Sequence, residues 1–447
     1  MNYESAVRYL LTLGRELAAP TQAAAAKFSL ENITVLMERL GRPHRAYPSV
    51  HIAGTNGKGS TAALLEAILR HAGFRIGLNT SPHLEKINER IRIAGEEISD
   101  ELFAEIFTRI LAVIEELLAE GKLNAHPTYF ECVTALALEV FARERVEFAV
   151  VEVGLGGRLD ATNLLTPIVS VITRIDFDHE NFLGHSLREI AAEKAGILKA
   201  GVPAVFAPQQ PEAGEVLRTK AGELRCPVVE TSKAFRVIRE EIQDGCVRAE
   251  VEERATGRRL AIAPQLAGHF QLQNALNAVA AATVLQGRKY QITDENIIRG
   301  IASAQWPGRI EKLQSSPDVY LDGAHNPGAA RELARFMEEN FAGRRVYLVY
   351  AAMRDKAVDE VTGLLFPYAE EVIFTEARTP RAISAAQLEE IAGHHAARHS
   401  AIADAEHAVQ AALVKAKPHD VIVITGSLYL VGQVRQAWRQ ARKVASS

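Results

Sequence analysis

Three patterns in succession between residues 49 and 71 constrain the fold of this chain more than any other feature. Residues 49–53 form a short apolar run, residues 54–60 hold three glycines, and residues 61–71 carry apolar side chains at helical spacing. A strand, a tight loop and a helix in this order make one α/β unit, and such units stack into a parallel sheet through right-handed crossovers. The pattern therefore predicts an α/β fold.

The loop has the composition of a phosphate-binding loop, with the sequence Gly54-Thr55-Asn56-Gly57-Lys58-Gly59-Ser60. Its glycines let backbone N–H groups converge on an anion, the next helix adds its positive N-terminal end, and Lys58 neutralises phosphate charge. The spacing departs from G-x-x-x-x-G-K-[ST], because two residues separate Gly54 from Gly57 and Gly59 follows the lysine. The alternative is a flexible turn without a ligand. We predict that a nucleoside triphosphate is bound by Asn56, Gly57, Lys58, Gly59 and Ser60.

The alternation of strands and helices continues through two predicted domains, 1–304 and 305–447. Before residue 305 we expect strands at 75–78 and 148–153, with helices at 3–17, 30–40, 101–118, 130–142, 271–286 and 294–303. Period-two alternation around Val247, Ala249 and Val251 predicts a small antiparallel side sheet within 235–262. Residues 305–309 break regular structure and mark the boundary. Beyond it, a smaller α/β domain is indicated by strands at 319–321, 346–350, 372–375 and 421–425.

Composition excludes several classes of partner. Among 447 residues, 51 basic and 55 acidic side chains give a net charge of −4, so no positive field favours nucleic acid or anionic lipid. No stretch approaches the roughly 18 apolar residues of a membrane span, and residues 1–13 lack the apolar region of a secretion signal. Three widely spaced cysteines fit neither a disulfide framework nor a thiolate metal site. We expect a cytoplasmic monomer that acts on small molecules.

Several further motifs, in order along the chain, resemble folylpolyglutamate synthase and dihydrofolate synthase, the folate branch of the Mur ligase superfamily. Besides the loop, they are Thr80-Ser81-Pro82-His83-Leu84, residues 151–163, Asp178-His179, Glu193-Lys194-Ala195-Gly196, Trp306-Pro307-Gly308-Arg309 and Asp322-Gly323-Ala324-His325-Asn326-Pro327. One departure is that Phe270 stands where the family usually has a histidine, in Gly268-His269-Phe270-Gln271. The resemblance implies a large N-terminal P-loop α/β domain with a side sheet, followed by a smaller Rossmann-like α/β domain.

The family reaction implies what the site must do. ATP phosphorylates a carboxylate, and the amino group of glutamate attacks the resulting acyl phosphate. Such a step needs positioning and charge stabilisation from metals, lysine and arginine. The implied cofactors are ATP and two Mg²⁺ ions, and the resemblance gives the catalytic roles to Lys58, Lys194 and His179.

By the same resemblance, Ser81, Glu152 and His179 match Mg²⁺ positions, and Ser60 is a further candidate. Glu152 ends an apolar strand, where a carboxylate is costly to bury without a cation. The alternative for Glu152 is a carboxylate that caps a neighbouring helix. A lone histidine such as His179 is more often solvent-facing or hydrogen-bonded, and only the motif favours a metal role.

Lys194 matches a family lysine that CO₂ converts into a carbamate, an anion able to support a second Mg²⁺. Formation of the adduct needs an uncharged amine, and burial lowers a lysine pKa in that direction. The alternative is an ordinary lysine on a helix surface.

For the nucleotide, the resemblance assigns Asn274 to the adenine, Arg309 to the phosphates and Asp322 to the ribose. These residues fall on both sides of the predicted boundary, so ATP is expected in an interdomain cleft that closes about Pro307-Gly308. The alternative is that residues 306–309 are a plain linker.

For the folate, the resemblance indicates six positions, and two more for the incoming glutamate. An aromatic ring suits stacking on a pterin, and a carboxylate suits its guanidine-like edge. Tyr129 and Phe130 could equally begin a core helix. The folate candidates are Arg90, Thr128, Tyr129, Phe130, Glu131 and Asp160, and the glutamate candidates are His325 and Ser427.

Three functions compete. The first is an ATP-dependent folate ligase, the second a Mur-type ligase acting on a different acid, and the third an ATP-hydrolysing switch or assembly protein. A ligase consumes ATP only when both an acid and glutamate are present, whereas a switch needs neither. The substrate, dihydropteroate, tetrahydrofolate or both, is open at this stage.

Overall fold

The protein consists of two α/β units, the first of which carries a small side sheet. The computed structural model describes residues 1–13 and 29–446. Residues 14–17 of the predicted helix 3–17 lie outside this range. The term N-terminal unit is used here for the elements up to Ser303, and C-terminal unit for those from Glu311 onward. Both units have the predicted α/β class.

The N-terminal unit contains a mixed sheet of eight strands. The strands are β1 Ser49–Ala53, β2 Ile76–Asn79, β3 Ile91–Ile93, β4 Glu96–Glu97, β5 Phe148–Glu152, β6 Val169–Ile172, β7 Ala204–Phe206 and β8 Val228–Glu230. Their order in the sheet is β4-β3-β2-β5-β1-β6-β7-β8. The six strands β2, β5, β1, β6, β7 and β8 are parallel, and β3 and β4 add an antiparallel edge.

Helices cover both faces of this sheet because its central strands are apolar on both sides, and β1, β2, β5 and β6 are fully buried. One face packs against the helices Lys58–His71, Phe270–Gly287 and Asp294–Ser303. The other face packs against Tyr3–Thr12, Glu31–Arg39, Asp100–Ala119 and Tyr129–Arg143. The remaining helices of the unit are Glu180–Leu183, Leu187–Ala195, Pro211–Glu223 and Thr231–Ala234.

The predicted side sheet is present and antiparallel, in the order β11-β10-β9. Its strands are β9 Phe235–Gln243, β10 Cys246–Glu253 and β11 Arg259–Ile262. Val247, Ala249 and Val251 point into the core as their alternation predicted, and they pack against the helix Phe270–Gly287.

The C-terminal unit holds a six-stranded sheet in the order β12-β13-β17-β14-β15-β16, parallel except for β12. Its strands are β12 Glu311–Gln314, β13 Asp318–Leu321, β14 Val346–Tyr350, β15 Glu371–Glu376, β16 His399–Asp404 and β17 Val421–Thr425. Its helices are Pro327–Asn340, Val358–Leu365, Ala385–Ala392, Ala405–Lys415 and Leu428–Ser446. Across the described residues, no helix combines the length and apolarity that crossing a bilayer requires.

Candidate active site

The phosphate loop leaves the buried strand β1 and enters the helix Lys58–His71, as the sequence predicted. Gly57, with φ of 88°, is the N-cap, and its left-handed backbone suits glycine. The helix begins at Lys58 instead of residue 61, so Lys58, Gly59 and Ser60 form its first turn. The first N–H groups of a helix have no intrahelical acceptor, which makes this turn an anion site.

Close packing holds the loop in shape. A Cβ on Gly57 would lie 2.2 Å from Asn274 Oδ1, and one on Gly59 would lie 2.6 Å from the Trp306 ring. The Lys58 ammonium donates to the Thr55 carbonyl at 3.1 Å, inside the same loop. The loop is therefore a shaped cradle, which argues against a flexible turn.

A cleft of about 530 Å³ lies between the two units and is lined by residues of both. All of the predicted nucleotide and metal residues meet there, together with Lys194 and His325, although they come from segments far apart in the chain. Those that line it are Asn56, Gly57, Lys58, Gly59, Ser60, Ser81, Glu152, His179, Lys194, Asn274, Arg309, Asp322 and His325.

Glu152 stands at the end of β5 and is almost fully buried, with 4% exposure. Its Oε2 accepts a hydrogen bond from the Ser81 backbone N–H at 3.1 Å, so these two predicted metal positions are in contact. Burial raises the pKa of Glu152, although Lys58, the Ser81 N–H and Arg309 oppose the rise. Glu152 caps a loop and not a helix, and its partly compensated charge fits a cation in the cleft.

Asp178 and His179 are joined to the C-terminal unit by a lysine that the sequence did not indicate. Lys356 Nζ donates to Asp178 Oδ1 at 2.6 Å and to His179 Nε2 at 3.4 Å. Burial raises the pKa of Asp178, but Lys356 and the two histidines outweigh it and hold that pKa well below its usual range. Burial lowers the pKa of His179 to about 4 against the pull of Asp178. His179 is therefore neutral at physiological pH, the form in which histidine binds metals.

Asn326 forms a second link between the units. Its side chain exchanges two hydrogen bonds with Asn56, at 3.1 and 3.3 Å, and also donates to Asp178 Oδ2 at 3.0 Å. His325 Nε2 lies 3.6 Å from the same Asp178 oxygen. The predicted ATP residue Asn56 thus contacts the C-terminal unit directly.

Lys194 is buried on the helix Leu187–Ala195, and its ammonium donates to the Gly54 carbonyl at 2.9 Å. Burial lowers the pKa of Lys194 to about 7, and the charge of Lys58 acts in the same direction. The alternative of an ordinary surface lysine is therefore wrong. The lowered pKa makes the uncharged amine accessible near neutral pH.

The nucleotide candidates are held by local hydrogen bonds. Asn274 donates to Gln271 Oε1 at 2.9 Å. Asp322 accepts the N–H groups of Ile310 and Ala324 at 2.9 and 2.8 Å, and burial raises its pKa although Arg309 opposes the rise. Phe270 lines the cleft at the start of its helix, so the departure from the family pattern places an apolar ring there.

None of the six folate candidates lines the cleft, and their polar groups are engaged locally. Thr128 and Glu131 cap each other at the start of the helix Tyr129–Arg143. The Arg90 guanidinium lies 5.7 Å from the centre of the Tyr129 ring, and its Nε donates to His83 Nδ1 at 2.8 Å.

Phe130 lies against Gly154, where a Cβ would come within 2.3 Å of the ring, and Gly154 lines the cleft. Tyr129 and Phe130 therefore do begin a core helix, as the alternative had it. Contact with a folate stays a prediction.

The remaining two candidates are also engaged. Asp160 accepts the backbone N–H of Leu155 at 2.8 Å, and both the N–H and the hydroxyl of Thr162. Ser427 accepts the Tyr429 N–H at 3.1 Å. Both side chains therefore have structural roles, and substrate binding by them stays a prediction.

Comparison with known proteins gives the class first. Residues 52–282 match the Mur ligase middle domain, and residues 308–428 match the Mur ligase glutamate ligase domain. The two matched segments supply the two walls of the cleft. The chain therefore belongs to the Mur ligase family.

Individual relatives place it in one branch of that family. The chain is 36% identical to the dihydrofolate synthase/folylpolyglutamate synthase of Bacillus subtilis, over 92% of this chain and 95% of that protein. It is 33% identical to the folylpolyglutamate synthase of Lacticaseibacillus casei, over 98% of both. A solved Mycobacterium tuberculosis folylpolyglutamate synthase complexed with ADP matches with a TM-score of 0.89 and 31% identity, covering 98% of both chains.

These matches confirm the predicted family, the folylpolyglutamate and dihydrofolate synthases, and the predicted enzyme class, an ATP-dependent ligase. They favour the folate branch over a ligase for another acid and over a nucleotide switch.

Proposed function

We propose that this ligase forms an amide between the carboxylate of a folate and the amino group of L-glutamate inside the cleft between its two units. One observation carries the proposal: the phosphate loop, the Glu152 and His179 positions and Lys194 face Arg309, Asp322 and His325 across one cleft. A reaction that joins three substrates needs such convergence, because each must be held before the reactive intermediate forms.

The chemistry divides into two displacements. The folate carboxylate attacks the γ-phosphorus of ATP, the bond to the β-phosphate oxygen breaks, and ADP leaves. The glutamate nitrogen then attacks the acyl carbon, phosphate leaves with the C–O bond electrons, and the nitrogen loses a proton. Lys58 and Arg309 stabilise the charge that the phosphate oxygens carry, Asn274 holds the adenine, and Asp322 holds the ribose.

Two Mg²⁺ ions fit the donor groups present. Ser60, Ser81 and Glu152 offer oxygen ligands on one side, and His179 offers a neutral imidazole. The buried carboxylate of Glu152 supplies the negative charge that such an ion needs. When bound, Mg²⁺ neutralises charge on the phosphate oxygens.

Lys194 is proposed to carry a carbamate. The neutral amine attacks CO₂ and loses one proton, which converts a potential cation into an anion within reach of the phosphate loop. The depressed pKa provides the amine, and the contact with the Gly54 carbonyl places it beside the loop.

We further propose that folate contacts Arg90, Thr128, Tyr129, Phe130, Glu131 and Asp160, and that His325 and Ser427 receive glutamate. The proposed domains are 1–304 and 305–447, with Pro307-Gly308 as the hinge. The enzyme is proposed to act as a monomer in the reducing cytoplasm, where its free cysteines Cys132, Cys226 and Cys246 remain thiols.

Mass spectrometry of products tests the function. The protein is incubated with ATP, Mg²⁺ and glutamate, together with either tetrahydrofolate or dihydropteroate. We expect glutamate to be added to tetrahydrofolate, with one ADP formed for each glutamate. Addition to dihydropteroate would extend the activity to dihydrofolate synthesis, which the name of the B. subtilis relative includes.

The controls omit the acid or glutamate, and Lys58→Ala serves as the inactive variant. ATP hydrolysis at the full rate without either substrate would contradict the ligase and support the switch.

A further inference from the structure

Two adjacent histidines and an aspartate form a cluster in the C-terminal unit that the ligase reaction does not use. Asp359 lies in the first turn of the helix Val358–Leu365, and His394 and His395 lie in the 3₁₀ turn Gly393–His395. Their ligand atoms all lie within 4.8 Å of one another. None of the three lines the cleft described above.

The spacing matches what a single ion requires. His395 Nε2 lies 2.9 Å and His394 Nε2 lies 3.6 Å from the same oxygen, Asp359 Oδ1. Two ligands about 2.1 Å from a tetrahedral zinc ion stand about 3.4 Å apart, so the observed distances bracket the required one. A small shift of each side chain would bring all three atoms to bonding distance.

The arrangement of the rings points the same way. The two imidazoles lie side by side, with centroids 3.9 Å apart, and both direct Nε2 at the one carboxylate. A hydrogen bond to Asp359 needs only one of them. Convergence of the second nitrogen on the same oxygen is accounted for by a shared cation.

We propose that Asp359, His394 and His395 bind a divalent transition-metal ion, with Zn²⁺ as the preferred occupant. Two imidazole nitrogens and one carboxylate oxygen favour Zn²⁺ and Co²⁺, whereas Mg²⁺ prefers a set made mostly of oxygen ligands. The site therefore differs from the Mg²⁺ positions in the cleft, where a single imidazole, that of His179, is proposed beside the oxygen donors Ser60, Ser81 and Glu152. The side chains of Asp359 and His394 are 76% and 60% exposed, so the ion enters freely and water completes its coordination.

The position of the site gives it a structural role. The ion joins the start of the helix Val358–Leu365 to the turn that follows the helix Ala385–Ala392. Asp359 is three residues from Lys356, whose ammonium contacts Asp178 and His179. An ion that binds only the folded protein must raise its stability, so Zn²⁺ is expected to raise the unfolding temperature.

Cobalt provides the test, because Co²⁺ bound by histidine in a four-coordinate or five-coordinate site absorbs visible light strongly. The full chain is used without an affinity tag, and excess Mg²⁺ occupies the proposed Mg²⁺ positions in the cleft. We expect one equivalent of Co²⁺ to develop this absorption and Zn²⁺ to displace it. Equilibrium dialysis then measures the affinity for Zn²⁺.

Variants separate the site from other histidines. His395→Ala should weaken Zn²⁺ binding at least about a hundredfold, beyond the 10–100-fold that outer-sphere changes cost. The His394→Ala/His395→Ala double variant should lose both the Co²⁺ absorption and the Zn²⁺-dependent rise in unfolding temperature. Circular dichroism checks that each variant folds.

His407→Ala is the matched control, because His407 is exposed and lies 3.7 Å from the Asp404 carboxylate, and it belongs to no three-ligand cluster among the described residues. It should bind Zn²⁺ like the unmodified chain. The proposal is overturned if the unmodified chain shows no histidine-bound Co²⁺, or if the double variant binds Zn²⁺ equally well.

Discussion

The pKa of Lys194 shows how strongly burial can change the charge of one side chain. Its amine is buried beside the phosphate loop, and the folded-state pKa of about 7 lies below the ordinary lysine pKa of 10.5. The unfolded chain therefore binds more protons between about pH 7 and 10.5, so the contribution of Lys194 to stability rises with pH across that window. Below about pH 7 the buried ammonium lowers the free energy of unfolding. A purely structural role therefore does not explain why a lysine stands at this position.

Substitution of Lys194 tests whether it acts as an anion. Lys194→Ala should lose activity by about 10–100-fold, the usual cost of removing a group that supports a metal. Lys194→Arg should be as poor because it keeps the positive charge and cannot form a carbamate, whereas Lys194→Glu should retain part of the activity. Short-chain acids should partly restore Lys194→Ala. Steady-state rates measure all three, and full activity of Lys194→Arg would refute the carbamate.

The pH dependence offers a separate check on the same residue. Acidification below the folded-state pKa protonates the Lys194 amine, so carbamate formation should fall as the pH decreases. Removing CO₂ from the buffers should therefore lower the rate, and added bicarbonate should restore it. A rate that is indifferent to CO₂ between pH 6 and 8 is the contrary result.

Substitution of Lys356 gives the clearest prediction about the free energy of unfolding. Its side chain and that of Asp178 are 9% and 11% exposed, so Lys356→Met leaves a buried carboxylate without its cation. We expect the free energy of unfolding to fall by about 3 kcal/mol at neutral pH. Asp178 has a depressed pKa in the fold, so its contribution is present above about pH 4 and is lost as the pH falls further.

Urea unfolding at several pH values measures this effect. The difference between the native chain and Lys356→Met should therefore shrink in acid. Lys220→Met breaks an exposed pair with Glu223 and should cost under about 1 kcal/mol. A Lys356→Met effect no larger than this control would show that the contact with Asp178 is not a stabilising one.

At the scale of elements, the sequence predicted those parts whose pattern is local. The strand, loop and helix around Gly57 could be recognised because glycine spacing and helical periodicity appear within about twenty residues. Strands β6, β7 and β8 were missed because they are only three or four residues long. In addition, β6 and β7 are buried and parallel, and such strands lack alternation. The contact of Lys356 with Asp178 could not be inferred, since it joins loops 178 residues apart.

The sequence likewise predicted only part of the candidate site. The nucleotide and metal residues within motifs were found in the cleft. Asn326 also lies in one of these motifs, but nothing in the sequence indicated its bridge to Asn56, and Lys356 belongs to none of the motifs. The local capping of Asp160 and Ser427 was equally invisible, because a side chain that accepts nearby N–H groups carries the same letter as one that binds a substrate.

Gly57 provides the test of the phosphate loop as an element. Gly57→Ala combines an unfavourable φ with a clash against Asn274, so we expect the KM for ATP to rise at least about tenfold, the equivalent of 1.4 kcal/mol. Gly73→Ala is the matched control, because its φ of 91° is similar and no atom lies within 4 Å of the added carbon. Enzyme kinetics at varied ATP compares them, and equal KM values would remove the loop from ATP binding.

For the whole molecule, hydrogen bonds and ion pairs join the two units at several places. Lys356 and Asn326 contact Asp178. Elsewhere, Arg435 Nε donates to Glu311 at 3.0 Å and the same guanidinium pairs with Glu85 of the N-terminal unit. Glu311 also accepts the Gly308 N–H at 2.8 Å. The proposed hinge is thus tied to the ion pairs that join the units.

Arg435 is therefore expected to hold the cleft closed. Arg435→Met removes the cation between the partly buried carboxylates of Glu85 and Glu311 and leaves Glu85 with the longer contact to Arg439 at 3.4 Å. Repulsion between the two carboxylates should then separate the units. Small-angle scattering should show a larger radius of gyration for Arg435→Met without ligands than for the native chain. ATP and a folate should return the radius to the native value by bridging the cleft. Arg398→Met, which breaks an exposed pair with Glu370, should scatter like the native chain.

The kinetic consequence follows from the same equilibrium. If only the closed form binds ATP tightly, the apparent affinity for ATP is proportional to the fraction of molecules that are closed. The variant should therefore show a raised KM with a smaller change in kcat. Identical scattering profiles for Arg435→Met and Arg398→Met without ligands would show that the ion pairs do not control closure, and rotation about Pro307-Gly308 would then need another cause.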